Sequence, residues 1–288
     1  MPQTAQIITS YGRRYIVRTT DQHTYEASTR SKRTDYACGD WVSIQIINGE
    51  QAVIESVQPR QSLLYRQDAW KSKLIAANVT QLLIVVAAEP SPSEALLQRA
   101  LIAAEAAHIR AVIVINKADL PSTAALQEKL SFYAQLGYEI ITLSALGNVD
   151  NLRDQLRSET NILLGQSGMG KSTLTNALLG ATLARTQTIS TALDSGKHTT
   201  THAQLYDLDD TTKLIDSPGL QEFGLHHLAA ADLLRYFPDL KHLIGQCRFH
   251  NCSHRAEPNC AVKAAAERGE VSAERVALLQ KITDELLR

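Results

Sequence analysis

An eight-residue run near the middle of the chain, GQSGMGKS at 165–172, has the spacing of a phosphate-binding loop. It lies between a strand-like apolar run and a helical one, which is the context that such a loop requires. Its glycines let backbone N–H groups approach phosphate oxygens, Lys171 reaches the β and γ phosphates, and the Ser172 hydroxyl ligates Mg²⁺. The predicted phosphate contacts come from Gly165, Gln166, Ser167, Gly168, Met169, Gly170, Lys171, Ser172 and Thr173.

A second motif, NKAD at 116–119, selects the base. A carboxylate at Asp119 accepts two hydrogen bonds from the N1–H and 2-amino groups of guanine, whereas adenine offers no such donor pair. By itself the motif also fits an ordinary loop. Its occurrence together with SAL at 144–146, after a further strand-like run, favours guanine contacts from Asn116, Lys117, Ala118, Asp119, Ser144, Ala145 and Leu146.

Two further segments fit the magnesium side of a GTPase site. DSPG at 216–219 follows a strand-like run, so Asp216 is expected to hold the metal through water and the Gly219 N–H to meet the terminal phosphate. An ordinary β-turn is the alternative for that motif alone. In GKHTTTHA at 196–203, Thr200 is the threonine predicted to complete the Mg²⁺ shell when GTP is bound. The predicted magnesium ligands are therefore Ser172, Thr200 and Asp216.

The order of these motifs is circularly permuted. NKAD and SAL precede the phosphate-binding loop, whereas ordinary GTPases run from that loop through the switch threonine and DxxG to NKxD and SA. Permutation keeps a sheet intact because one connection is opened and the old termini are joined where they lie close together at the surface.

A Cys/His cluster follows, with the spacing Cys247-x4-Cys252-x-His254-x5-Cys260. Three thiolates and one imidazole complete a tetrahedral set for Zn²⁺ and leave no position for a catalytic water, so the predicted site is structural. Buried cysteines without a metal are the alternative.

The elements that must position these motifs fall into three parts. Short β-rich runs up to about residue 75 predict a small barrel of the oligonucleotide-binding or SH3 kind, which strand count alone does not separate. From Gln81 apolar strands alternate with amphipathic helices, which indicates a parallel sheet covered on both faces. The predicted fold is multidomain: a β-barrel at 1–75, an α/β permuted P-loop GTPase at 76–225, and a helical zinc-binding domain at 226–288.

Composition limits the classes of protein. With 44% hydrophobic and 20% charged residues the chain is neither disordered nor fibrous, and its net charge of −1 argues against a uniformly basic nucleic-acid coat. The longest apolar run, at 82–88, is far short of the ~20 residues that cross a bilayer, and no secretory signal is visible. We expect a cytoplasmic protein without a membrane partner.

The charge is unevenly distributed. Residues 1–75 hold ten basic and seven acidic side chains, whereas 76–160 hold six and nine. A phosphate-facing stripe on the barrel is one interpretation, and a solvated barrel face is the other. The stripe would consist of Arg13, Arg14, Arg18, Arg30, Lys32 and Arg33.

Together, the small barrel, the permuted motifs, GKHTTT, DSPG and the Cys/His cluster resemble the bacterial RsgA or YjeQ family of GTPases that depend on the small ribosomal subunit. The resemblance covers nearly the whole chain. It implies an OB-like barrel, hydrolysis of GTP to GDP and phosphate stimulated by that subunit, rRNA binding late in subunit maturation, and release after hydrolysis. It also implies Mg²⁺ with GTP and one structural Zn²⁺ on the four ligands above, with His250 outside the pattern. A monomer is expected.

Two other functions fit the residues. One is a nucleotide-gated RNA-binding adaptor with negligible turnover, and the other is a metal-stabilised GTPase that acts on a protein complex without RNA.

The residue that positions the attacking water differs from that of many small GTPases. They place a glutamine directly after the DxxG glycine, but here that residue is Leu220, whose side chain cannot polarise water. His198, two residues before Thr200, is the candidate catalytic residue, because a neutral imidazole orients water or accepts a proton near pH 7. The resemblance implies the same role. Loop ordering or ribosome contact is the alternative for His198.

His198→Ala is therefore expected to leave GTP binding intact and to remove most of the turnover stimulated by small ribosomal subunits. The measurement is the stimulated kcat beside the dissociation constant for GTP. An unchanged stimulated kcat contradicts the catalytic assignment.

Overall fold

A computed structural model describes residues 2–12, 14–30, 35–68, 71–186, 202–217 and 224–287. At the N-terminal end five strands form a closed barrel, in which alternate side chains such as Ile7, Tyr15, Val17 and Ile44 fill the interior. The strands are β1 (Gln3–Tyr11), β2 (Arg14–Thr19), β3 (Thr24–Thr29), β4 (Trp41–Ile46) and β5 (Gln51–Val57).

Strand order decides which kind of barrel this is. The order is β1-β2-β3-β5-β4, β4 pairs back on β1, and β3 runs parallel to β5. This is the Greek-key order of the OB fold. The predicted OB-like barrel is confirmed, and the SH3 alternative is excluded.

Arg60 neutralises a charge inside the barrel. The Asp40 carboxylate is fully buried and accepts hydrogen bonds from Arg60 Nε and Nη2, both at 2.7 Å, and from the Ala37 N–H at 2.7 Å. Because an ionised carboxylate is costly to bury without a partner, Arg60 is required for Asp40 to lie there.

A mixed α/β sheet follows the barrel. Its strands, in spatial order, are β10 (Glu139–Thr142), β9 (Arg110–Asn116), β8 (Gln81–Ala87), β11 (Thr160–Leu164), β13 (Lys213–Asp216) and β12 (Gln204–Asp207). Every neighbouring pair is parallel except β12 with β13. The strand β8 is buried along its whole length, as expected for a strand covered on both faces. The helices between them are α1 (Glu94–Ala106), α2 (Thr123–Gln135), α3 (Asp150–Leu156) and α4 (Lys171–Thr186).

Two connections join the barrel to this sheet. A separate hairpin of β6 (Leu63–Asp68) and β7 (Lys71–Ala77) carries the chain into β8. The edge strand β12 also pairs antiparallel with β1 of the barrel, so that the barrel and the α/β sheet form one run of eleven hydrogen-bonded strands. The predicted limit at residue 75 falls within β7, which continues to Ala77. The domain limits at 75 and 225 stay predictions.

The basic stripe expected on the barrel is partly engaged within the chain. Arg18 forms an ion pair with Asp207 of β12, and Arg30 lies 2.8 Å from Glu55. Arg14 is the most exposed of the three, at 3.5 Å from Glu26. Arg13, Lys32 and Arg33 lie outside the described residues. The charge of Arg18 is thus already paired within the chain, and phosphate contact by the stripe stays a prediction.

The C-terminal part is helical, as predicted. Two short 3₁₀ helices, Ala230–Tyr236 and Lys241–Leu243, precede α5 (Ala261–Glu267) and α6 (Ala273–Leu286). The buried Arg275 of α6 donates from Nε and Nη2 to the Asp239 carboxylate, at 2.8 and 2.7 Å. These contacts hold the C-terminal part together, whereas the ion pair between Arg99 of α1 and Glu285 of α6 joins it to the α/β part. Among the described residues, no helix combines the length and apolar character needed to span a bilayer.

Arg60→Leu is expected to lower the free energy of unfolding by about 3–5 kcal/mol, because it leaves the buried Asp40 charge without its partner. Arg14→Ala is the matched control. It removes an exposed ion pair of the same barrel and should cost about 1 kcal/mol or less. Urea unfolding followed by tryptophan fluorescence compares the two variants. Equal losses of stability contradict this role for Arg60.

Candidate functional site

The predicted nucleotide contacts lie at one edge of the α/β sheet, where its parallel strands end. NKAD begins at the last residue of β9, the 165–172 loop follows β11 directly, and Asp216 is the last residue of β13. SAL follows the end of β10 after one residue. Ligands of open α/β sheets bind outside the carboxyl ends of the strands, so the fold brings these segments to the expected place.

Two glycines allow the loop to pack closely. A Cβ atom at Gly165 would lie 2.3 Å from the backbone oxygen of Val85 in β8. Gly170 has a φ of +87°, and a Cβ there would lie 2.3 Å from Nδ2 of Asn116. A side chain at either position would therefore displace the loop.

Lys171 is almost buried at the start of α4. Its Nζ donates to the backbone oxygens of Gly165 at 2.8 Å and Gln166 at 3.1 Å. Burial lowers the pKa of Lys171, and the charge of Asp216 opposes that shift. The ammonium group thus lies inside the loop. A bound phosphate would offer it charged oxygens, which are stronger acceptors than these two carbonyls.

The remaining loop residues divide between buried and exposed positions. Oε1 of Gln166 accepts from the N–H of Ser93, the N-cap of α1, at 3.0 Å, which links the loop to that helix. Met169 is buried, and its sulfur accepts from the Ala87 N–H at 3.2 Å. The exposed positions, available to a ligand, are Ser167, Gly168, Ser172 and Thr173.

Asn116 connects the phosphate-binding loop to SAL. Its Nδ2 donates to the backbone oxygen of Met169 at 3.0 Å, and its Oδ1 accepts from the Ala145 N–H at 2.9 Å. The side chain is 1% exposed, so both hydrogen bonds are shielded from water. The phosphate side and the base side are thereby held in a fixed relation.

Asp119 and Ser144 form the predicted base contact. The Ser144 hydroxyl donates to Oδ1 of Asp119, and this hydrogen bond is the main cause that lowers the pKa of Asp119 below its usual value. Asp119 is exposed, so its ionised carboxylate is accessible to the two guanine donors. Leu146 is 83% exposed beside it.

A contact that sequence analysis missed holds the NKAD loop. Lys117 has a φ of +62°, and its Nζ donates to the backbone oxygen of Glu89 at 2.7 Å. The Glu89 carboxylate accepts from the Ser122 hydroxyl at 2.8 Å, and the Ala118 N–H donates to Leu143 at 3.0 Å. No local pattern marks Glu89, because its partners come from a different loop.

On the magnesium side the structure describes two of the three predicted ligands. Asp216 is 6% exposed at the end of β13, and its neighbour Ser217 donates to the Leu163 oxygen at 2.7 Å, which keeps this strand end beside β11. The Ser172 hydroxyl lies in the first turn of α4. Carboxylate and hydroxyl oxygens suit Mg²⁺, so the described donors fit that ion. The other predicted residues, His198, Thr200 and Gly219, lie outside the described residues.

The four predicted zinc ligands come together. The ligand atoms of Cys247, Cys252, His254 and Cys260 all lie within 4.8 Å of one another. Nδ1 of His254 is 3.6 Å from Sγ of Cys247 and 3.5 Å from Sγ of Cys260. A tetrahedral zinc ion with bonds of about 2.3 Å to sulfur and 2.0 Å to nitrogen places these atoms about 3.5 Å apart. The cluster therefore fits zinc in both donor type and spacing.

Neighbouring groups hold the cluster in shape. The Glu257 carboxylate accepts from the N–H and hydroxyl of Ser253, each at 2.6 Å, and from the Arg255 N–H at 2.9 Å. Burial lowers the pKa of His254, which favours the neutral imidazole that binds metal. Cys260 is also the N-cap residue of α5, so the cluster is continuous with the helical part.

Comparison with known proteins agrees with these features. Residues 57–226 match the model of the RsgA GTPase family. A protein from Neisseria meningitidis called small ribosomal subunit biogenesis GTPase RsgA is 73% identical over 286 residues, which cover 99% of this chain and 93% of that protein. A protein of the same name from Nitrosospira multiformis is 46% identical over 283 residues, which cover 98% and 90%.

Two solved structures are similar over the whole chain. YjeQ from Thermotoga maritima superposes with a TM-score of 0.73 at 28% identity and covers 100% of this chain and 99% of its own. YloQ, described as a circularly permuted GTPase, gives a TM-score of 0.70 at 25% identity, with coverage of 100% and 96%. The permuted α/β arrangement inferred from motif order is thus confirmed.

Cys260→Ser is expected to lose most of its bound zinc, because one of four ligands becomes a poor metal donor. His250→Ala, which changes a histidine of the same loop outside the cluster, should keep about one ion per chain, like the unaltered protein. Elemental analysis or native mass spectrometry gives the zinc content. Equal zinc content in the two variants contradicts the ligand assignment.

Proposed function

The chain belongs to the RsgA GTPase family, and from that premise we propose that it hydrolyses GTP during maturation of the small ribosomal subunit. In this proposal it binds the subunit and its rRNA in the GTP state and leaves after hydrolysis. The observation that carries the proposal is the position of Asn116, which joins a phosphate-binding loop to a guanine-selective loop at one sheet edge.

Binding of the nucleotide follows from the described geometry. Lys171 and the backbone N–H groups of the 165–172 loop hold the phosphates, and the positive end of α4 favours their negative charge. Asp119 holds the guanine, and Ser144 keeps its carboxylate in place. The half-buried Lys117 and the exposed Ala118 and Leu146 flank the base.

Hydrolysis requires groups on the γ-phosphate side. We propose that Ser172 and Asp216, with Thr200, hold Mg²⁺, which neutralises charge that develops on the phosphates. His198 orients the attacking water, since Leu220 stands where many GTPases have glutamine. The Gly219 N–H contacts the γ-phosphate, so loss of that phosphate releases the segment that leads into the C-terminal part.

The two flanking parts provide the proposed contacts with the subunit. The barrel has an OB-fold topology, which is used widely to bind oligonucleotides, and the exposed Arg14 lies on its surface. One structural Zn²⁺ on the Cys/His cluster stabilises the C-terminal part. Because the overall charge is near zero, we propose binding through local contacts and shape by a cytoplasmic monomer.

The test is a multiple-turnover GTPase assay with and without purified small ribosomal subunits. Strong stimulation by the subunits supports the proposal. Nucleotide-dependent binding to the subunit without turnover identifies the adaptor alternative, which Leu220 favours. Turnover without any effect of the subunit or of rRNA indicates a GTPase with a protein partner instead.

Asp119→Asn is expected to change the base specificity from guanine to xanthine. The side-chain amide that D119N introduces donates to the C2 oxygen of xanthine, where guanine carries an amino group that needs an acceptor. Subunit-stimulated turnover with GTP should fall by about 100-fold or more and recover with xanthosine triphosphate. Asp154→Asn, which changes an exposed aspartate of α3, is the control and should keep its preference for GTP. An unchanged preference in the Asp119 variant contradicts the base assignment.

A further inference from the structure

The edge strand β12 is covered by the barrel of the same chain. An edge strand has unpaired backbone groups that can bind another strand. Here β1 takes that position, with Thr9 opposite Gln204. β12 directly follows the segment predicted to hold His198 and Thr200, so β1 pairs with the strand into which that segment leads.

Ionic contacts fix the end of β12 that lies far from the nucleotide. Asp207 pairs with Lys213 in the β12–β13 ladder, whereas Gln204 pairs with Asp216 at the nucleotide end. Arg18 of the barrel forms an ion pair with Asp207. The Lys213 ammonium donates to Oε1 of Gln6 at 2.6 Å, so this far end is held by polar groups of two barrel strands.

An aromatic contact lies at the other end. The ring of Tyr11, the last residue of β1, is 4.2 Å from the ring of His202, centroid to centroid, with 46° between their planes. His202 is two residues before β12 and two after Thr200. The β1 strand thus runs beside β12 from its far end to the end at which the segment with His198 and Thr200 leads into that strand.

Tyr11 contributes little to the barrel interior. Its side chain is 51% exposed, in contrast to the fully buried Tyr15 of the next strand. Burial of apolar area therefore does not account for a tyrosine here, whereas the ring contact with His202 does.

We propose that Tyr11 is a positioning residue for GTP hydrolysis, because its ring holds His202 at the entry of β12 while the Arg18–Asp207 pair fixes the other end of that strand. The inference rests on the proposed GTPase function and adds a role for the barrel in the hydrolysis step itself. Displacement of a catalytic group by about 1 Å can cost up to about 100-fold in rate, so loss of a contact two residues after Thr200 is expected to slow hydrolysis.

The experiment measures GTP turnover of the full-length protein without ribosomal subunits, together with the dissociation constant for GDP. Tyr11→Ala should lower kcat by about tenfold or more, with KM and the GDP constant within about twofold of the unaltered protein. Tyr11→Phe keeps the ring and should restore kcat. Ile47→Ala, which removes a similarly exposed apolar side chain at the β4–β5 turn of the same barrel, is the control and should leave kcat unchanged.

The outcomes separate this inference from the function on which it rests. Unaltered protein that hydrolyses no GTP, with or without subunits, overturns the proposed function. Normal turnover of the unaltered protein and of Tyr11→Ala overturns only the role of Tyr11. If Tyr11→Ala loses turnover only in the presence of ribosomal subunits, the positioning role is overturned too, because Tyr11 would then act as a surface contact. Failure of Tyr11→Phe to restore kcat assigns the effect to the hydroxyl and also contradicts the ring contact.

Discussion

The two hydrogen bonds of the buried Asn116 side chain are the constraint on which the nucleotide site depends. They join a carbonyl of the phosphate-binding loop to an N–H of SAL, and each donor or acceptor left unpaired in that position would cost about 1–3 kcal/mol. The same amide also explains Gly170, because a Cβ there would overlap Nδ2. One side chain thus ties the phosphate-binding loop to SAL, whose Ser144 donates to Asp119.

Charges are paired where the parts of the molecule meet. Arg18 with Asp207 joins the barrel to β12, Arg99 with Glu285 joins α1 to α6, and Lys213 reaches Gln6. These side chains are partly shielded from solvent, so their attraction is less screened by salt than that of exposed pairs. Part of the charge of the chain is thus used in contacts between its own parts.

The nucleotide motifs were predictable because each is local. Eight consecutive residues specify the phosphate-binding loop, and the sequence places apolar strands directly before it and before NKAD. Motif order was enough to infer the permutation, which the similar solved structures confirm. The OB order required more, since the pairing of β4 with β1 and of β3 with β5 depends on tertiary contacts that no short pattern encodes. The ion pair of Arg18 was not predictable for the same reason, because its partner lies in a distant strand. Glu89 was missed because its partners lie in a different loop.

The strand order also has a consequence for how the chain folds during its own synthesis. β13 lies between β11 and β12, although it is made last of all the strands, so the sheet stays open on that side until residue 216 has left the ribosome. The contact between Thr9 and Gln204 joins residues about 200 positions apart. Contacts of such long range form late because a large loop must close first. A nascent chain can thus complete its barrel early, but it docks that barrel on β12 and places Asp216 beside β11 only after the strands β12 and β13 have been made.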